Sequence, residues 1–493
     1  MMLFLICLLG AVLRLYHWNS YGFWYDEAQW MLIVARGLSR AVTETVLLTK
    51  PPLFAIILYF WKQFFTTEFM LRLVPVIFGI VSVIIIYKAG ETASGRKAGL
   101  ISAFILALSP FHIYYSQELT HYSLTLFCAV CSFYHLLKGL KENRWGNWLQ
   151  FALYNLLGLY TNFVYVFFLF SLNTAALFYC LPRRKDVLKK WLVSQAVILL
   201  FVSYWVALFL GAFFHYSYPF ATSWIPKGSL LRMFQVFRLF NAGYNAASLA
   251  SHFLVFLFFP LFFAGIARIF KNNRKMAGVF LATIFMPVVL AILFSRTAAT
   301  FTYRNFIFIM PVYYVCVSIG IAGLRRLWLP ALISYLLFAG SSLINYYHNV
   351  FPYYENDRFY QPGVHPRKDS RAAALYVIGN FKKGDAVAHV CTSTLVPYMY
   401  YASVSGIDEL REANKDVFAN GLTLVAWQKD KIARLAKNKK RLWLVFSAWH
   451  TELLDDAPGK QKLKAWVDRN FTPIGSRAFA GVRVFLYEIP LHN

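Results

Sequence analysis

Leu73-Val74-Pro75-Val76-Ile77-Phe78-Gly79-Ile80-Val81-Ser82-Val83-Ile84-Ile85-Ile86-Tyr87 runs without a charge until it meets Lys88. A helix of about 20 apolar residues crosses the ~30 Å hydrocarbon core of a bilayer, and this stretch is built to do so. It is not alone. Similar runs lie near 2–18, 72–89, 98–114, 121–137, 148–161, 163–181, 191–212, 249–267, 276–294, 306–324 and 329–347, which predicts about eleven transmembrane helices. The chain has 493 residues, of which 59% are hydrophobic and only 14% charged, far more apolar surface than a soluble protein of this length needs. Its formal charge of +27 would suggest nucleic acid in a soluble chain. Here much of that charge sits in short loops between spans, as the positive-inside rule and anionic headgroups require, so no nucleic-acid partner is expected.

Five alternate loops carry the charge: Lys88/Arg96/Lys97, Lys138/Lys141/Arg144, Arg183/Arg184/Lys185/Lys189/Lys190, Arg268/Lys271/Arg274/Lys275 and Arg325/Arg326. Their only acids are Glu91, Glu142 and Asp186. These loops read as cytoplasmic, which places the amino terminus in the cytoplasm and the carboxyl tail on the other face of the inner (plasma) membrane. The first span lacks a basic leader and a small-residue cleavage site and is expected to be retained. Residues 51–65 are apolar but short. Counting them as a span would scramble the sidedness of the loops, so they read as a helix in the outer interface. The first outer loop then runs over 19–71, and a second long one covers 213–248.

Composition changes after residue 347. A Pro-rich linker occupies 348–365, and 366–493 reads as a small extracytoplasmic α/β domain; together they carry 21 Lys and Arg against 14 Asp and Glu. Within it, Asp369 or Ser370 should cap a helix to Phe381. Strands are expected at Ala386–Cys391, 442–447 and 481–489, with helices near 423–439 and 459–470. Of six cysteines, five lie in apolar spans and only Cys391 is in the tail, so the tail can form no internal disulfide. Cys128 and Cys131 imitate a CxxC motif but read as small apolar residues of a span.

Residues 1–347 hold only eight acids, and the five outside the basic loops, Asp26, Glu27, Glu44, Glu68 and Glu118, all fall on the outer side. An acid kept beside lipid is costly, which makes it a candidate for chemistry. Asp26 and Glu27 follow the first span among Tyr21, Phe23, Trp24, Tyr25 and Trp30. Desolvation at such a belt makes a carboxylate a stronger base. The plainer alternatives are a helix cap or a salt bridge to Arg14. A second constellation, Ser109-Pro110-Phe111-His112-Ile113-Tyr114-Tyr115-Ser116-Gln117-Glu118 with His121 and Tyr122, ends the third span on the same side. Glu118 and Tyr122 share a face if helical. Outward cations form a third: Lys50, Arg72 and Arg304, the last in Thr302-Tyr303-Arg304-Asn305, with Lys227, Arg232, Arg238 and Arg296. Such groups can hold phosphate or simply snorkel.

An ordered set of motifs resembles a known family. Tyr25-Asp26-Glu27-Ala28, Lys50-Pro51-Pro52-Leu53, Phe69-Met70-Leu71-Arg72-Leu73-Val74-Pro75, Gly95-Arg96-Lys97-Ala98-Gly99, Ser109 to Glu118 and Tyr160-Thr161-Asn162 look like those of bacterial relatives of two enzyme groups. These are the dolichyl-phosphate-mannose protein mannosyltransferases and the lipid A aminoarabinose transferases, both glycosyltransferases of the membrane-embedded C fold. The resemblance implies a polyprenyl-phosphate sugar (undecaprenyl or dolichyl type) as donor, chemistry on the outer face and an acid of the first outer loop as base, which falls on Asp26. Glu118 matches an acid that many relatives carry in the next outer loop. Lys50 stands where many relatives have His, and Asn162 replaces a commoner His, so the acceptor does not carry over. The acceptor is expected to be a lipid, glycan or protein bearing a hydroxyl or phosphate.

The expected site therefore has Asp26, Glu27 and Glu118 as catalytic acids and Lys50, Arg72, Tyr303 and Arg304 around the donor phosphate. Tyr25, Tyr115, His121, Tyr122 and Asn162 would meet sugar or acceptor. A monophosphate leaving group beside cations needs no obligatory cofactor, and a divalent ion is neither required nor excluded. The rivals are a lipid-linked-sugar flippase or ion-coupled transporter using the outer carboxylates, and a sensor whose tail binds a partner. Transporters usually carry internal repeats and acids at mid-bilayer, and neither is evident in this chain. The charge pattern predicts that a cysteine introduced as Lys460→Cys reacts with a membrane-impermeant reagent before the inner membrane is opened; reaction only after lysis would reverse the topology.

Overall fold

The structure, a computed structural model, describes residues 1–47, 50–181, 185–216, 225, 227–296, 301–352, 364, 366–406, 429–447 and 458–490. Its contacts divide the chain into two compact units. One comprises Met1–Trp18 and Arg36–His365; the other comprises Asn19–Ala35 and Pro366–Asn493.

The first unit is helical and built of membrane spans. A helix covers each of the eleven expected spans. Among the described residues, seven helices are long and apolar enough to cross a bilayer, or eight if the bent pair Arg96–Leu108 and Pro110–Ser116 forms one span. The remaining three, Met2–Leu15, Trp145–Leu159 and Tyr165–Cys180, have only 14, 15 and 16 residues. At ~1.5 Å per residue they reach about 21–24 Å, so among the described residues up to eight of the expected spans are long and apolar enough to cross on their own. Leu53–Lys62 forms a ten-residue helix within the expected interfacial segment. The helices Ser248–Asn272 and Met310–Ala322 approach closely at glycines. A Cβ on Gly265 would strike the Cys316 carbonyl, and one on Gly320 the Leu261 carbonyl.

The bend between Arg96–Leu108 and Pro110–Ser116, 60°, shapes this unit. Pro110 has no N–H, so the preceding helix must stop, and its last carbonyls need other donors. Two side chains supply them, and a third caps the next helix. Arg14, fully buried, donates to the carbonyls of Leu106 at 3.1 Å and Ala107 at 3.0 Å, to Gly10 O at 2.8 Å, and meets His112 Nδ1 at 2.8 Å. Tyr335 donates to Ile105 O at 3.1 Å. Ser109 Oγ caps the new helix by accepting from His112 N at 3.3 Å, and itself accepts from the Tyr314 hydroxyl at 3.0 Å. At the far end Gln117 Nε2 donates to Leu13 O, Arg14 O and Tyr16 O, the last at 2.7 Å, closing the carboxyl end of the first helix. Tyr346 in turn donates to Gln117 Oε1 at 2.8 Å.

The second unit combines the helix Tyr25–Ala35 with the tail. The tail sheet has order β1-β2-β4-β3, where β1 is Asp385–His389, β2 Arg441–Ser447, β3 Thr472–Phe479 and β4 Val482–Glu488. β1 and β2 are parallel and the other pairs antiparallel. Ala386, Ala388, Leu442, Leu444 and Phe446 alternate into a core shared with Ile432, Leu463 and Val467. As expected, Asp369 caps Ser370–Asn380, accepting from Ala372 N at 3.0 Å. Two elements went unpredicted. The helix Thr392–Val404 contains Pro397, and β3 contains Pro473 and Gly475 at a register shift with its side chains almost wholly exposed. Both carry the signals of a loop. Most of the linker, and the first part of the helix expected over 423–439, lie outside the described residues.

Two outcomes follow from this packing. Arg14→Leu keeps bulk but removes the side-chain donors to Leu106 O and Ala107 O, and should cost about 1–3 kcal/mol, read as a lower melting temperature in detergent; an unchanged melt would remove Arg14 from its role at the bend. In the tail, buried His389, whose Nδ1 lies 3.1 Å from Thr394 Oγ1, is held neutral by burial, its pKa down to about 3. The unfolded chain takes up that proton near pH 6.5, so stability is intact above that pH and is lost as pH falls from 6.5 toward 3. Tail resistance to protease should drop between pH 7.5 and 5 by the equivalent of roughly 2 kcal/mol in the wild type, and by less in His389→Gln.

Candidate active site

In the second unit, the chain enters the helix Tyr25–Ala35 through a segment seated on tail side chains. Phe23 N donates to the Tyr401 hydroxyl at 2.8 Å, and the Phe23 and Tyr400 rings lie 5.1 Å apart. Gly22 leaves no room for a Cβ beside Arg371 and Tyr401. Trp24 precedes the first helical turn, and Glu27, 2% exposed, accepts from Trp24 N at 3.2 Å. That is the backbone half of a capping box, so Glu27 closes the helix start. Asp26, the residue before it, is half-buried in the same first turn, where the helix dipole favours a carboxylate. Tyr25 beside it is kept protonated by burial and then by the Asp26 charge.

The first unit brings together most of the remaining expected residues. Glu118, 3% exposed, follows the bend segment in the short connection before Tyr122–Glu142. The Tyr115 and Tyr244 hydroxyls are 2.7 Å apart, and the Tyr115 and Tyr122 rings 4.9 Å apart. The Arg304 guanidinium lies over the Tyr122 ring, 5.4 Å from its centroid. His121 stacks beside Tyr122 at 4.3 Å. Burial, reinforced by the charges of Lys50 and Arg304, pushes its pKa down to about 3, so it stays neutral between two cations. Burial likewise raises the Tyr244 hydroxyl, with Arg304 and Glu118 acting in opposite senses. Two cations, one carboxylate, a neutral imidazole and three phenols thus share one buried region.

Asn162 and Lys50 are tied to each other's neighbourhood through the backbone. Leu53 N, just past Lys50-Pro51-Pro52, donates to Tyr160 O at 3.0 Å, and Asn162 Oδ1 accepts from Val164 N at 3.0 Å to open the next helix. Two expected phosphate groups are engaged elsewhere. Arg72, 1% exposed, donates to Trp18 O at 3.3 Å. Tyr303 accepts from Arg232 Nη1 at 3.2 Å and donates to Gln235 Oε1. Both side chains hold backbone or helix partners in this structure.

Tyr244 was not singled out from the sequence. It follows Gly243, whose φ of +71° suits glycine and whose missing Cβ lets the chain pass Pro110, where a Cβ would come within 2.7 Å. The Asn241-Ala242-Gly243-Tyr244-Asn245 turn was the available signal: a glycine stop after a helix, with an aromatic directly behind it.

Residues 49–207 match the family model described as dolichyl-phosphate-mannose-protein mannosyltransferase. No curated protein sequence matches the chain. Among solved structures, ArnT from Cupriavidus metallidurans bound to undecaprenyl phosphate superposes with a TM-score of 0.64 at 12% identity, over 99% of this chain and 98% of that one. The same enzyme in the apo state gives 0.62 at 11% identity, over 98% and 97%. The two chains therefore share a fold from end to end, tail included, with little sequence in common. Segment 49–207 is thus similar to the dolichyl-phosphate-mannose-protein mannosyltransferase family, and the whole chain shares the fold of ArnT.

Proposed function

We propose that this protein transfers a sugar from a polyprenyl-phosphate carrier to a hydroxyl or phosphate acceptor on the outer face of the membrane, with the amino terminus cytoplasmic and the tail exported. The observation that carries the reading is the gathering of half-buried Lys50 and Arg304 around His121 and buried Tyr122 and Glu118. Cations kept in an acid-poor membrane unit, beside aromatic faces, suit a lipid-linked phosphate whose charge grows as it leaves. The ArnT structure with undecaprenyl phosphate shows that this fold can hold such a carrier.

In the proposed step Asp26 accepts the proton of the acceptor hydroxyl while that oxygen forms a bond to the anomeric carbon. The bond from that carbon to the phosphate oxygen breaks, and the electron pair leaves with the polyprenyl phosphate. A single displacement inverts the anomeric centre. Asp26 lies half-buried in the first turn of the helix that its neighbour Glu27 caps, which gives it a fixed place at the helix start. Glu118 would orient sugar or acceptor hydroxyls. Arg72 and Tyr303 would contribute by holding Trp18 and the helix Leu230–Ala242 rather than by meeting phosphate.

Turnover and donor binding of purified variants test the assignment. Asp26→Asn should lose about 10²–10⁴-fold in turnover with donor binding kept. Arg304→Ala and Lys50→Ala should weaken apparent donor affinity by roughly ten- to a hundredfold, the worth of a charge-assisted contact. Near-normal turnover of Asp26→Asn would remove it as base, and a deeper loss in Glu118→Gln would move the role there. Vesicle uptake of the carrier without glycosyl transfer would favour a flippase.

A further inference from the structure

The first unit contains a groove of about 690 Å³ that none of the expected catalytic, donor or acceptor residues lines. It runs between three helices, Met2–Leu15, Arg96–Leu108 and Trp328–Tyr347. Its walls are apolar: Leu5 and Leu9 from the first, Ile101 and Phe104 from the second, Leu332 from the third. Met2, Arg96, Lys97 and Trp328 also line it, and these are the opening residues of the three helices. All three therefore start at the same end of the groove and run along it in the same direction.

That shared end is positively charged in two independent ways. Arg96 and Lys97 are both exposed, and among the described residues neither has a carboxylate within ion-pair distance. The Lys97 ammonium rests 4.7 Å from the Trp328 ring centroid. Glu91, one turn upstream, is engaged by the Tyr87 hydroxyl at 2.5 Å. Each of the three helices also opens with no acid in its first turn and no side-chain cap, so their first N–H groups and positive dipole ends are left for another acceptor. A wholly apolar trough of ligand size, ending in two cations and three uncapped helix starts, complements one kind of molecule: a long apolar chain with an anionic head. Trp328 at the same level is the amphipathic ring expected at a headgroup boundary.

We propose that this groove is a binding site for an anionic glycerophospholipid of the bilayer leaflet at the basic end of the bundle. One acyl chain lies between the three helices, and its phosphate meets Arg96, Lys97 and the helix starts. The site is separate from the proposed donor site and does not depend on the proposed transfer reaction.

Native mass spectrometry of the full chain, equilibrated with equal amounts of phosphatidylglycerol and phosphatidylcholine, tests it. Each cation near a headgroup is worth about a factor of five, so the wild type should retain one phosphatidylglycerol with a preference of roughly twenty-five- to thirtyfold. The double variant Arg96→Gln, Lys97→Gln should lose that preference yet still retain lipid, and Leu100→Trp, which fills the groove, should lower retention of both lipids. Equal retention of the two lipids by the wild type, or an unchanged preference in the double variant, would overturn the proposal. So would displacement of phosphatidylglycerol by equimolar polyprenyl phosphate, which would assign the groove to the carrier lipid. Should the double variant not fold, Lys97→Gln alone and the wild-type melting temperature decide: a rise with phosphatidylglycerol over phosphatidylcholine supports the site, and no difference ends it.

Discussion

The membrane unit depends on a guanidinium placed where water cannot reach. Pro110 stops a span short of its end, so the carbonyls of Ile105 and Ala107 lose their helical donors and Leu106 O keeps only a long bond from Ser109 N at 3.4 Å. An unsatisfied carbonyl in such surroundings costs as much as several good packing contacts contribute. Arg14 and Tyr335 remove that cost, and Gln117 does the same for the end of the first helix. Two broken helix ends are thereby locked together. The segment between them, Ser109 to Glu118, has one position available to it, and the tyrosines and carboxylate it carries inherit that position.

The same economy of polar groups governs the candidate site. Acids are few in the membrane unit, eight in residues 1–347, and Glu118 lies close to Tyr115 and Tyr244. Arg304 rests on the face of Tyr122, and His121 is kept uncharged by burial and by its cationic neighbours. A neutral imidazole and buried phenols add hydrogen-bonding capacity without adding charge that would compete with a phosphate. In the other unit, Glu27 spends its carboxylate on the helix start, which separates two adjacent acids that look alike in sequence into a cap and a candidate base. At the basic end of the bundle, uncapped helix starts and unpaired cations give the apolar groove its proposed preference for an anionic lipid.

Much of this was legible in the residues. Long apolar runs can satisfy their backbone in lipid only as helices, so the spans and their order followed from hydropathy alone, and the ordered motifs from Tyr25 to Asn162 pointed to the C fold. Asp369 as a cap and the β1, β2 and β4 strands were readable because capping and alternation are local. What was not legible was non-local. Helix length was overestimated at 2–18 and 163–181, because apolar composition continues past the point where the helix stops. β3 was missed because an exposed edge strand with Pro473 and Gly475 has no apolar face to announce it.

The sequence by itself determined that the chain is a polytopic helical membrane protein with an α/β tail, because burial of apolar groups and satisfaction of backbone polar groups are set by composition and periodicity. Only the tertiary structure decided which polar residues are built into the fold. Arg14, Arg72 and Tyr303 read in sequence like any other polar candidate, yet each is committed to carbonyls or helix partners many residues away. A hydrogen bond is a matter of distance and direction between atoms, and those are fixed by how the helices pack and not by their order along the chain.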